Sequence, residues 1–159
     1  MQKDRISLAP KDIVLIALMV ATLEAVKMAL SFLPNVELVT LLIMLYTKTF
    51  GKRVAFVIPI FIAFECLQWG LGIWTIMYVY VWFILAIVAY LLRKQSNPLV
   101  WAIVGGAFGL FFGLLCAIPY LFIGGVSMAF AWWVSGIPYD FIHCGVNFVL
   151  ALVLLSRWT

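Results

Sequence analysis

The chain has 159 residues, of which 67% are apolar and 10% charged, and its formal net charge is +4. Soluble domains hold about half apolar and a quarter charged residues, so this composition leaves too little polar surface for a water-soluble globule and excludes a soluble enzyme or binding module. A bilayer-spanning helix takes about 20 mostly apolar residues, which gives residues 1–159 room for one compact bundle of six spans and no second domain.

The polar start MQKDRISLAPKD runs into an apolar segment at 13–33. That segment is longer than the apolar core of a secretory signal and contains Glu24 and Lys27, so it reads as a retained first span. Along it Ala17, Ala21, Ala25 and Ala29 recur every fourth residue, a stripe of small side chains that lets another helix approach closely. Glu24 and Lys27 lie about 100–160° around the helix from Ala25, which predicts one smooth and one polar face.

Pro34-Asn35 ends the first span. The apolar segments 36–50 and 54–69 follow, separated by Gly51-Lys52-Arg53, and both are short enough to require tilt or local adjustment. Glu65, Gln68 and Trp69 close the third span before Gly70-Leu71-Gly72. Trp74 and Tyr78 open the fourth at 74–92, which Arg93 to Pro98 terminates. The fifth, at 98–121, carries Gly105, Gly106, Gly109 and Gly113, a close-packing surface rather than a nucleotide loop, since no strand precedes it. The aromatic stretch 122–138, with Gly124-Gly125 and Trp132-Trp133, reads as a surface-lying helix or a re-entrant cap. On the sixth span, 138–156, Asp140, His143 and Asn147 share one helical face.

Nine of the ten basic residues fall on one side of this map. Lys3, Arg5 and Lys11 precede the first span, Lys48, Lys52 and Arg53 flank the second turn, Arg93 and Lys94 the fourth, and Arg157 follows the last. The excess of positive charge on cytoplasmic loops then places both termini in the cytoplasm of a multi-pass protein of the cell membrane. It also removes nucleic acid as a partner, because the basic residues are an orientation signal.

The acids show the opposite bias. Glu24, Glu37, Glu65 and Asp140 all fall in the outer half or at its edge, with Lys27, the remaining base. Ionisable groups in a bilayer cost several kcal/mol and face a bundle interior or a wet cavity. Glu24, Lys27, Asn35, Glu37, Glu65, Gln68, Trp69, Trp74, Tyr78, Tyr139, Asp140, His143 and Asn147 are therefore candidate lining residues of an outward-facing pocket for a small polar molecule with a flat or bulky apolar part. Polar glue between helices is the competing reading, but a purely structural role does not require every acid in the spans to sit on the outer side.

No phosphate-binding GxxxxGK[ST], GxSxG or HExxH sequence is present, so any ATP hydrolysis falls to other subunits and the chain is not expected to be an enzyme. Cys66, Cys116 and Cys144 lie far apart in apolar runs, and there is one histidine. No metal site and no resident cofactor is expected.

Six spans with both termini inside, the alanine stripe, the polar outer half, and Pro34-Asn-Val-Glu-Leu-Val-Thr-Leu-Leu before Gly51-Lys52-Arg53 resemble the S components of energy-coupling factor (ECF) transporters. The resemblance implies a substrate-binding subunit that captures a vitamin, or in some groups a metal ion, near the outer surface. It implies docking to a membrane coupling subunit with two ATPases, through Ala17, Ala21 and Ala25, and closure over the ligand by Asn35–Glu37, Trp69–Trp74 and Phe122–Tyr139. Cobalamin is the first expectation for the ligand, and pyridoxine or a hydroxymethylpyrimidine the second. The competing classes are a membrane assembly protein without a solute ligand and a small membrane enzyme or channel.

Overall fold

The computed structural model describes residues 9–33 and 36–156. Helix α1 (Pro10–Ala29) begins with proline in its first turn, where a missing N–H costs nothing, and the Asp12 carboxylate accepts from the Ala9 N–H at 3.0 Å. Helix α2 (Val39–Phe50) has no hydroxyl cap; instead Glu37 Oε2 accepts from the Thr40 N–H at 2.8 Å. A 3₁₀ turn at Gly51–Arg53, entered through a positive φ at Gly51, leads to α3 (Val54–Trp69). Gly70, also at positive φ, stops α3. Helix α4 (Ile73–Leu91) follows, then α5 (Pro98–Cys116), where Asn97 caps the Leu99 N–H at 2.9 Å and Pro98 takes the first position. The last helix, α6, is Ile118–Leu155. No strand occurs among the described residues.

The end of the fold differs from the expected cap. Ala117 keeps helical torsions, so α5 continues almost directly into the first turns of α6. The true reversal is at Gly124 and Gly125, the latter at φ 73°, a conformation that costs a side-chain-bearing residue dearly. From there the chain returns as helix to Leu155. The stretch 122–138 is thus the tip and returning limb of one antiparallel hairpin, neither a separate surface helix nor a re-entrant cap. Glycines draw its two limbs together: a Cβ on Gly109 would lie 2.7–2.8 Å from the His143 and Cys144 backbone, and one on Gly106 3.2 Å from Phe148. Nearer the tip, Tyr120 and Trp132 stack at 4.3 Å.

Three helices, α4, α5 and α6, are long and apolar enough to cross a membrane. At most 39% of the most apolar stretch of each is buried inside the fold, so apolar side chains cover most of their outward surface as well. Such helices are suited to lipid rather than water. Helices α2 and α3, with 12 and 16 residues, fall short of that length, and α1 carries Lys11, Asp12, Glu24 and Lys27. The core between the helices is built from Leu23, Ile43, Met44, Ile58, Phe61, Leu85 and Trp101, each fully buried.

The polar residues separate to the two ends. At one, Arg53 Nε donates to Asp12 at 2.9 Å, Lys48 donates to the Gln95 carbonyl at 2.7 Å and lies over Trp101, and Arg93 stacks on Tyr90. The opposite end gathers Lys27, Glu65, Glu37, His143 and the aromatic start of α4.

Candidate functional site

On α4, Trp74, Tyr78 and Trp82 are spaced four apart and form one aromatic wall. Their rings meet edge to face, Trp74 to Tyr78 at 5.3 Å and Tyr78 to Trp82 at 5.4 Å, with interplanar angles of 78° in both pairs. Phe112 of α5 stands 5.9 Å from Trp82 and meets His143 edge-on at 5.0 Å.

Two polar pairs close on this wall. Lys27, in the last turn of α1, forms an ion pair with Glu65 of α3, and its Nζ lies 3.4 Å from the Tyr78 hydroxyl. The ammonium also sits over the Tyr78 and Phe61 rings, at 5.2 and 5.8 Å from their centres. The second pair joins α6 to the segment before α2: His143 Nε2 is 2.9 Å from Glu37 Oε1, while the other Glu37 oxygen holds the α2 N-terminus.

Two adjoining cavities result, of about 210 and 260 Å³, and Lys27 and Tyr78 line both. Glu37, His143, Trp82, Phe112 and the turn after α1 complete the first; Glu65, Trp69 and Trp74 complete the second. Of the residues singled out in the sequence, Lys27, Glu37, Glu65, Trp69, Trp74, Tyr78 and His143 thus come together. Asn35 lies outside the described residues. Asp140 lines neither cavity, and its Oδ1 accepts from the Gly113 N–H at 3.0 Å, tying α6 to α5. Asn147 is buried one turn deeper with neither amide atom partnered, and Tyr139 is exposed away from both cavities.

Trp82 and Phe112 escaped the reading of the sequence. Trp82 had a signal, since it extends the Trp74–Tyr78 spacing by another four residues. Around the cavities the Trp82 indole N–H is buried without an acceptor, and Glu65 Oε1 is buried with only the neighbouring Glu24 carboxyl beside it. Buried polar groups normally find partners, so these mark where bonding capacity is left over.

Glu24 and Gln68 lie elsewhere. With Ala17, Ala21, Ile16, Val20 and Phe64 they line a groove of about 660 Å³ between α1 and α3. Ala17, Ala21 and Ala25 are exposed. The two faces of α1 are therefore less separate than the helical angles imply, because Glu24 sits on the alanine side of the boundary.

No protein-family model, curated protein or solved structure matches this chain.

Proposed function

We propose that this chain spans the cell membrane six times with both termini in the cytoplasm, and that it binds a vitamin-sized solute in its outer half for uptake with partner subunits. The observation that carries this reading is the pair of cavities sharing Lys27 and Tyr78, walled by aromatic rings and lined by buried charged groups. Polar glue needs neither the space nor the unpartnered indole N–H that borders it. Small-molecule sites combine mostly apolar walls with a few placed polar groups.

The separation of charge supports the orientation: the described basic residues other than Lys27 gather at the end away from the cavities, as expected of a cytoplasmic face. The exposed alanines and the α1–α3 groove support a docking face for a membrane coupling subunit, which would work with two ATPases as in the S components the sequence resembles. Among the expected ligands, the space favours a one- or two-ring heteroaromatic such as pyridoxine or a hydroxymethylpyrimidine over cobalamin, whose macrocycle and nucleotide tail exceed both cavities.

The test is calorimetric titration of the purified, detergent-solubilised chain against a panel of water-soluble vitamins. Saturable binding of one vitamin is expected, and replacing Ala17 and Ala21 together by Leu should leave that binding intact while abolishing uptake in cells. Failure of a folded sample to bind any vitamin would move the weight to an assembly protein, for which the α1–α3 groove is the relevant surface.

A further inference from the structure

The end of the bundle that holds the cavities has more acids than bases. Glu24, Glu37, Glu65 and Asp140 face Lys27 and His143, and every other Lys or Arg among the described residues belongs to the opposite end or its turns. The imbalance is sharpest around Lys27. Glu65 is 2% exposed, and only one of its oxygens meets the ammonium, the other having no donor apart from the neighbouring Glu24 carboxyl. Glu24, which lines the α1–α3 groove rather than the cavities, has both oxygens buried and meets Glu65 through their charges and a side-chain hydrogen bond. Two carboxyls therefore share one lysine, and a buried carboxylate without a counter-charge is costly.

A proton or a second cation relieves that imbalance, and the surrounding walls discriminate between them. Trp69, Trp74 and Tyr78 line the same cavity as Glu65. Lys27 already sits over the Tyr78 and Phe61 rings, so the aromatic faces here are presented to a positive charge. A hard metal ion is poorly served, since it takes six or more oxygens and no group of three or more His, Cys, Asp or Glu converges among the described residues. The neighbouring cavity offers the complementary feature. Trp82, 3% exposed, lines it with an indole N–H that lacks an acceptor.

We propose that the paired cavities take a cationic nitrogen heterocycle of one or two rings, its positive charge set against Glu65, with Glu24 adding its charge from the adjacent groove, and a hydrogen-bond acceptor directed to Trp82. This assignment rests on the solute-binding reading and narrows it to a charge class. The ring packs along the Trp74–Tyr78–Trp82 wall, and Lys27, shared by both cavities, yields Glu65 in part to the incoming cation.

Three probes share a ring and a carbonyl acceptor but differ in charge: 1-methylnicotinamide is a cation, nicotinamide is neutral and nicotinate is an anion. Titrated calorimetrically into the purified chain at one neutral pH, the cation should bind roughly tenfold or more tightly than nicotinamide, and nicotinate most weakly. Glu65→Gln should bring the cation-to-neutral ratio close to one, and Glu24→Gln should reduce it, with folding checked by circular dichroism. The wild-type ratio stands as a test even if a variant fails to fold. Equal affinity of the cation and nicotinamide would mean that protons already satisfy the carboxyls, and would overturn the proposal. Tighter binding of nicotinate, or no binding of any probe while a neutral or anionic vitamin binds, would overturn it too and leave the solute-binding role standing. Binding of nothing at all would overturn both.

Discussion

Lys27 touches the largest number of functional elements: the Glu65 carboxylate, the Tyr78 hydroxyl, two aromatic faces and both cavities. Its position beside Glu24 was legible as an ionisable pair on one helix, but the true partner, Glu65, comes from α3, 38 residues away. Spacing within a helix reveals neighbours on that helix and says nothing about which helix lies alongside. Replacing Lys27 by Met would leave the buried Glu65 without its counter-charge and should cost roughly 3 kcal/mol or more. Adding Glu65→Leu to Lys27→Met should restore much of the loss, since an apolar pair of similar size satisfies the site. A double-mutant cycle measured by unfolding in detergent checks both steps, and additive losses would show that the pair is not coupled.

At the other end, Asp12 makes a contribution of the opposite kind. The Ala9 N–H, and after it Arg53, hold its carboxyl below the ordinary value of 3.8. A carboxyl lowered in the folded state stabilises at pH above its unfolded value, and that stabilisation disappears as pH falls through the folded value. Asp12→Asn should therefore lower the melting temperature at neutral pH, and the gap from wild type should close as the pH falls below about 4. A gap that stays constant across that window would mean that neither the Ala9 N–H nor Arg53 favours the charged carboxyl.

At the scale of elements, the apolar runs marked α3 and α4 to within a residue, because glycine and charge bound them on both sides. The α5–α6 hairpin was less legible. The aromatic stretch 122–138 has no periodic polar face, and whether Gly124-Gly125 reverses the chain or opens a cap depends on what the returning limb packs against. The packing answer lies in the glycines of α5. Gly109 faces the His143–Cys144 backbone, so an added methyl meets main-chain atoms that cannot rotate away. Gly109→Ala should destabilise by about 1–3 kcal/mol and displace His143 from Glu37, weakening ligand binding as well. Gly136, with nothing within 4 Å of its would-be Cβ, is the control: Gly136→Ala should be neutral or slightly stabilising. Equal melting temperatures for the two variants would deny the close approach of α5 to α6.

For the whole molecule, the number of helices that cross the bilayer sets which side the cavities face, and helix length divides the six into two groups. Helix α2 is about 18 Å long and α3 about 24 Å, both short of a hydrocarbon core of about 30 Å. They cross only if the bilayer thins around them or the flanking residues reach the interfaces. The charge map argues that they do, because Lys52 and Leu71, at the two ends of α3, stand at the basic and the cavity-bearing ends respectively. A protein crossing six times puts these residues on opposite faces of the membrane, whereas one in which only α4, α5 and α6 cross puts them on the same face. In a background freed of Cys66, Cys116 and Cys144, Leu71→Cys should react with a membrane-impermeant maleimide added to intact cells. Lys52→Cys should react only after permeabilisation. Both positions are exposed, so a failure to react reports sidedness rather than burial. The inverse pattern would turn the molecule over and place the cavities on the cytoplasmic side, and labelling of both from the same side would remove α3 from the bilayer.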